Sequence, residues 1–146
     1  MKTAMISRVA CAGVLSLALS GVIGATAASA SSPKLVVTPS TNLHNGEKVK
    51  VSGSGFKPGD SVVIVECLAK ATGESNCKVD IADLDTATIN KSGDLPVTAF
   101  KVSTGKIGNG SCGTKTANLK KCAVSVGNAS GGDSAVKIIG FKAPKK

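Results

Sequence analysis

The sequence predicts an all-β protein, a seven-stranded immunoglobulin-like β-sandwich with two local disulfide-stapled ribbons. Short β-branched runs recur with Gly, Pro, Asn or Asp turns between them, and helical periodicity is hard to find. The chain contains no tryptophan, so the Cys…Trp…Cys core of true immunoglobulin domains is missing. The predicted strands are residues 34–38, 47–52, 61–68, 84–90, 96–103, 122–126 and 135–141.

Residues 61–68 (SVVIVECL) form the stretch around which the other strands are arranged. This run is short, continuous, apolar and rich in β-branched residues, which predicts a strand buried against a core. Residues 47–52 instead alternate charged and apolar side chains, the pattern of a half-buried strand with one wet face. The Asn45-Gly46 pair before them is a tight-turn signal. We expect an aliphatic core of Val, Ile and Leu.

The first thirty residues predict a secretory signal peptide. Lys2 and Arg8 supply a positive start, residues 9–23 are apolar or small, and Ala28-Ser29-Ala30 fits a signal peptidase. A transmembrane anchor is the alternative, but small and polar residues dilute the run and no positively charged flank follows it. Residues 31–146 are therefore expected to be one exported domain with a basic C-terminal tail, and we expect a monomer.

The domain is basic, and every cation in it is lysine. The formal charge of the whole chain is +9, and removal of the signal peptide lowers it by two. Lysine is suited to diffuse electrostatic attraction to polyanions, whereas specific hydrogen bonds to the edge of guanine are usually made by arginine. The alternative function is thus a secreted cationic binder of DNA or anionic cell-envelope polymers, and the competing explanation is that lysines only confer solubility. The predicted contacts are Lys115, Lys120, Lys121, Lys142, Lys145 and Lys146.

Four cysteines remain after the signal peptide, an even number that favours disulfides in an exported protein. Of the three connectivities, Cys67–Cys77 with Cys112–Cys122 is favoured, because each pair brackets a polar segment that could turn back. Local bridges of this kind would pin hairpins at an edge and contribute about 2–3 kcal/mol each. A zinc site is the alternative, but no Cys-x-x-Cys is present and no metal site is predicted.

Enzymatic chemistry finds little support, and no catalytic residue is predicted. A triad needs a base beside a nucleophile, and the single histidine, His44, is isolated next to a turn. The acidic residues Asp80, Asp83 and Asp85 suggest paired carboxylates or calcium, with solvated loop charges as the plainer interpretation.

Three segments in order resemble the neocarzinostatin family of actinobacterial apoproteins. They are residues 37–56, the Glu66-Cys67 pair with Cys77 ten residues later, and residues 122–129 (CAVSVGNA). The resemblance spans about residues 35–141. It implies a cleft between the sandwich and its disulfide-held ribbons, which carries a non-covalent enediyne chromophore and protects it. It also implies an antibacterial role, DNA binding by the complex and an apoprotein without other cofactors.

The resemblance also assigns candidate cleft residues. The six positions that correspond to the family's cleft are Ala69, Leu84, Ile107, Ala123, Ser125 and Gly127. None is aromatic, although aromatic rings supply large rigid area to a planar ligand. The plainer interpretation is that these small and aliphatic residues fill a sandwich core. An open concave pocket would decide between the two.

Overall fold

Two antiparallel sheets form the predicted sandwich, which confirms the all-β, immunoglobulin-like class. The computed structural model describes residues 32–145. Its strands are β1 (Lys34–Thr38), β2 (Lys48–Ser54), β3 (Ser61–Leu68), β4 (Asp85–Thr88), β5 (Leu95–Lys101), β6 (Gly105–Ile107), β7 (Gly110–Cys112), β8 (Cys122–Gly127) and β9 (Ala135–Ile139). Within those residues, helical structure is limited to the 3₁₀ turns Glu74–Asn76, Ile81–Asp83 and Thr116–Asn118.

The strands are divided between two sheets and a ribbon. The first sheet has the order β1-β2-β5, the second has the order β4-β3-β8-β9, and β6 pairs with β7. All of these pairings are antiparallel. The central positions of β3 and β8 explain why both can be so apolar.

The predicted number of strands is wrong by two. The additional strands, β6 and β7, are three residues long and each begins with glycine. Such short segments cannot display the period-two alternation by which strands are recognised in a sequence. They form a separate ribbon between β5 and β8.

The core lies between the two sheets and follows the alternation of the strands. Inward positions of both sheets are mainly aliphatic; they include Val49, Val51, Val62, Ile64, Val124 and Val126. Phe56, Phe100 and Phe141 are also buried in this cluster. Most of the core is Val, Ile and Leu, as expected, and the three phenylalanines of the chain add to it.

The structure contains both predicted disulfides, Cys67–Cys77 and Cys112–Cys122. Their expected place at a sheet edge was wrong. Cys67 and Cys122 lie on the two central strands of the second sheet, and the Cys112–Cys122 bridge is fully buried in the core. The first disulfide fastens a loop to β3, and the second ties the β6-β7 ribbon to β8.

Residues 1–30, the predicted signal peptide, lie outside the described residues, as does Lys146. Within residues 32–145 no helix has the length and apolar character needed to cross a membrane.

Candidate ligand-binding cleft

The outer face of the second sheet forms the floor of an open cleft. Side chains of a strand alternate between faces, so Val63 and Val65 point away from the core when Val62 and Ile64 point into it. The register sets Val65 opposite Ser125, and Ser125 opposite Val136 on β9. Three neighbouring strands therefore present small and aliphatic side chains to one concave surface.

Two loops form the walls of the cleft. Residues 69–84 connect β3 to β4 along one side, and residues 128–134 connect β8 to β9 along the other. The volume of the open cleft is about 840 Å³, which lies within the range of small-molecule pockets. The wall residues that line it are Leu68, Ala69, Ala71, Thr72, Gly73, Glu74, Cys77, Val79, Leu84, Asn128, Ala129, Gly131 and Ser134.

The lining of the cleft is aliphatic and nearly uncharged. Its single ionisable side chain is Glu74, and neither a lysine nor an aromatic ring borders it. Large apolar side chains stay exposed around the cleft: Val79 is 56% accessible and Val136 is 58% accessible. Exposed aliphatic groups that converge on a concavity are typical of a binding site for an apolar ligand.

Four of the six predicted cleft residues border this cavity. Ala69 and Leu84 belong to the wall of residues 69–84, while Ser125 and Gly127 belong to the floor on β8. The structure thus brings these four together around one open space. Their contact with a ligand stays a prediction.

The other two predicted cleft residues do not border the cavity. Ile107 is 1% exposed and packs in the core, because the β6-β7 ribbon turns its β6 side chain towards the sandwich. Ala123 points to the cleft side of β8, but it is fully buried beside Cys67, where the disulfide loop covers the sheet. The expectation that the second ribbon lines the cleft was also wrong, because none of its residues borders it.

A family model described as the neocarzinostatin family matches residues 35–141. The chain belongs to the neocarzinostatin family. Macromomycin, a solved structure, is 26% identical in sequence over 76% of this chain and 100% of that chain, with a TM-score of 0.57. The solution conformation of apokedarcidin is 27% identical over 77% and 100% of the two chains, with a TM-score of 0.49.

A buried ion pair anchors the 69–84 wall in this neocarzinostatin-family protein. Lys78 Nζ lies 3.1 Å from Glu66 Oε2, and the two side chains are 12% and 2% exposed. The backbone N–H of Ser103 donates to the same carboxylate oxygen at 3.0 Å, and Lys78 also donates to the Ser103 carbonyl at 3.2 Å. One cluster therefore joins β3, the cleft wall and the segment after β5.

Burial raises the pKa of Glu66 above its ordinary value of 4.5. The hydrogen bond from Ser103 and the charge of Lys78 act in the opposite direction, and Asp83 adds a smaller upward contribution. The carboxylate is thus held in an apolar site by partners that offset only part of its desolvation. Sequence analysis missed this pair, although a glutamate inside the apolar run 61–68 was a signal that a buried partner was needed.

Two glycines bring the ribbon against the back of the same wall. Gly108 has a φ of +49°, and a Cβ placed on it would overlap the carbonyl oxygen of Ser75. A Cβ on Gly110 would lie 2.8 Å from a methyl carbon of Leu68. Because only glycine permits this approach, the ribbon supports the wall from outside the cleft.

The histidine and the aspartates considered for catalysis or calcium binding do not line the cleft. Among residues 32–145, the one group of potential metal ligands that converges is Glu66 with Cys112 and Cys122, and those two sulfurs are bonded to each other. Asp80, Asp83 and Asp85 do not form such a group. His44 is exposed and lies 3.4 Å from Glu47.

The lysines predicted to contact polyanions are exposed but scattered. Lys115, Lys120 and Lys121 belong to the segment between β7 and β8, and Lys142 and Lys145 belong to the tail. The two tail lysines border a second, smaller cavity of about 270 Å³ beside His44. None of the five borders the cleft.

Proposed function

We propose that this protein is an exported, non-enzymatic carrier that holds an apolar, enediyne-type chromophore in the cleft. The observation that carries this proposal is the uncovered aliphatic floor of the second sheet, where Val63, Val65 and Val136 face an open volume of about 840 Å³. A sandwich needs only one buried face on each sheet, so a second apolar face requires another occupant. Membership in the neocarzinostatin family supports a chromophore as that occupant.

The ligand is held chiefly by burial of apolar surface rather than by aromatic stacking. Each square ångström of apolar area removed from water contributes about 25 cal/mol. The hydroxyl groups of Ser125, Ser134 and Thr72 lie among the lining residues and can orient polar parts of the ligand.

Under this proposal the protein protects and delivers its ligand, and the reactivity belongs to the ligand. The two loop walls would shield a labile group on the floor from part of the surrounding water. Antibacterial activity and DNA binding would then be properties of the complex. Export would follow from the predicted signal peptide.

Native mass spectrometry of the protein from the culture medium of its producing organism tests the proposal. The sample is kept cold and dark, because enediynes are labile. We expect a non-covalent adduct that is lost when the protein is denatured. Failure of the purified protein to bind any apolar probe in the cleft would contradict the carrier role.

A fluorescence assay provides that probe measurement. The chain contains no tryptophan, so Leu84→Trp introduces a single fluorophore into the cleft wall. Titration with the neutral dye N-phenyl-1-naphthylamine should quench this tryptophan through energy transfer. Val97→Trp, on the outer face of the first sheet, is the matched control and should be quenched much less. Equal quenching in the two variants would place the dye outside the cleft.

A further inference from the structure

The outer face of the first sheet carries an ordered set of lysines. Alternation and register turn Lys34, Lys48, Lys50 and Lys101 outward, because the neighbouring apolar residues on each strand enter the core. All four are exposed. We name these four residues the lysine face. Its other outward positions are Val36, Thr38, Ser52, Ser54, Val97 and Ala99, so no carboxylate interrupts it.

Positively charged side chains of the lysine face lie next to one another on adjacent strands. Lys48 and Lys101 are Cα partners across β2 and β5, and Lys50 follows on the same side of β2. Like charges directly opposite on a sheet are destabilising. No lysine of this face forms an ion pair with a carboxylate of residues 32–145. The face therefore has positive charge without an internal partner to neutralise it.

The residues around these lysines indicate which kinds of anionic partner the lysine face can bind. Val36 and Val97 are 53% and 69% exposed, and the outward positions between the lysines include no acidic residue. It has no aromatic ring on which a base could stack, because the three phenylalanines are buried. It has no arginine to read base edges. The interaction available to this face is therefore electrostatic attraction between its lysines and repeated anionic groups of a partner.

We propose that the lysine face binds a flexible, base-free polymer of phosphodiester groups, of the kind found in bacterial cell envelopes. A flexible chain can adjust its phosphates to the spacing of the lysines on the three strands. A rigid duplex holds its phosphates at fixed positions and cannot adjust in this way. The charge complementarity is independent of the carrier role, because the face lies on the opposite side of the sandwich from the cleft. The protein would thereby be retained at an anionic envelope with its cleft free.

The test compares two triple variants with equal loss of charge. Lys48→Gln/Lys50→Gln/Lys101→Gln removes the centre of the lysine face. Lys115→Gln/Lys120→Gln/Lys121→Gln removes three exposed lysines outside it and is the matched control. Binding to synthetic poly(glycerol phosphate) of uniform length is measured by calorimetry between about 50 and 200 mM salt. A DNA duplex with the same number of phosphates is the second probe, and circular dichroism checks that both variants fold.

The wild-type protein should bind the polymer with an affinity that falls as salt rises, and more tightly than it binds the duplex. The lysine-face variant should lose on the order of tenfold in affinity, and its salt slope should fall by about two, since each single-strand phosphate contact contributes about 0.7. The control should lose no more than about threefold through net charge. Equal losses in the two variants, no polymer binding at low salt, or tighter binding to the duplex would each overturn the proposal.

Discussion

The two outer faces of the sandwich differ in every respect that governs binding. The outer face of the second sheet presents Val63, Val65 and Val136 to a cleft that is walled by loops, and one carboxylate is the sole ionisable group in that cleft. The first sheet is apolar on one side only, and its outer face carries four lysines. One fold thus offers a site for an uncharged molecule and, opposite it, a surface for anions.

The origin of the difference can be seen in two strands. In β2, Lys48 and Lys50 alternate with valines, so the side away from the core is wet. In β3, Val63 and Val65 alternate with residues that are equally apolar, so the side away from the core needs a cover. The loop 69–84 supplies part of that cover and must be held in place. The cleft therefore depends on anchoring contacts that the lysine face does not require.

The largest expected effect comes from removal of the buried anchor. Lys78→Met leaves the Glu66 carboxylate in an apolar site with the Ser103 N–H as its remaining partner. Loss of one member of a buried ion pair costs about 3 kcal/mol. We expect the free energy of unfolding, measured by urea denaturation at neutral pH, to fall by that amount. Binding of the neutral dye to the cleft should weaken, and polymer binding to the lysine face should not change.

The pH dependence of this variant has a definite sign. Burial raises the pKa of Glu66 in the folded protein above 4.5, the ordinary value expected in the unfolded chain. The contribution of this raised pKa to stability is therefore complete below pH 4.5 and is lost as the pH rises through the folded-state pKa. Lys78→Met removes a charge that lowers this pKa, so the deficit of the variant should shrink as pH falls towards 4.5. Glu66→Gln/Lys78→Met is the control and should be more stable than Lys78→Met at pH 7. A deficit that is constant with pH would mean that lost packing, rather than the charge, is responsible.

A smaller effect is expected at the contact between ribbon and cleft wall. Gly108→Ala places a methyl group against the Ser75 carbonyl and puts alanine at a positive φ. We expect a loss of about 2 kcal/mol in the free energy of unfolding, together with weaker dye binding as the wall shifts. Gly59→Ala is the matched control, because its φ is +84° but no atom lies within 4 Å of the added carbon. Similar losses in both variants would assign the effect to backbone strain alone.

Much of the fold could be predicted from the sequence because its signals are local. The alternation of residues 47–52 correctly predicted a strand with one wet face, and the close cysteine pairs predicted two local bridges. The run 61–68 predicted a central strand. It could not predict that Val63 and Val65 would face a cleft, because a continuous apolar run is the same for a strand covered by protein and for one left open.

The candidate site was harder to predict because it depends on contacts distant in sequence. Ile107 lies in a three-residue strand whose direction is set by packing against the core, and its own segment carries no alternation. Glu66 meets Ser103 across 37 residues, a contact that local pattern cannot indicate. Lys101 becomes the partner of Lys48 through the register of two strands that are far apart in the chain. The lysine face was therefore missed, while lysines adjacent in sequence were selected.

The smallest expected effect tests whether the lysine face is maintained at a cost in stability. Lys101→Thr removes the repulsion with Lys48 and should raise the free energy of unfolding by about 0.5 kcal/mol at low salt. The gain should shrink at high salt, where exposed charges are screened. Lys34→Thr on β1 is the matched control, since its Cα partner is Ser54 and the change in strand propensity is the same. A larger gain in Lys101→Thr than in the control, with weaker polymer binding, would mean that the opposed lysines serve recognition at the expense of folding. Equal gains in the free energy of unfolding for the two variants would mean that Lys48 and Lys101 do not repel each other measurably.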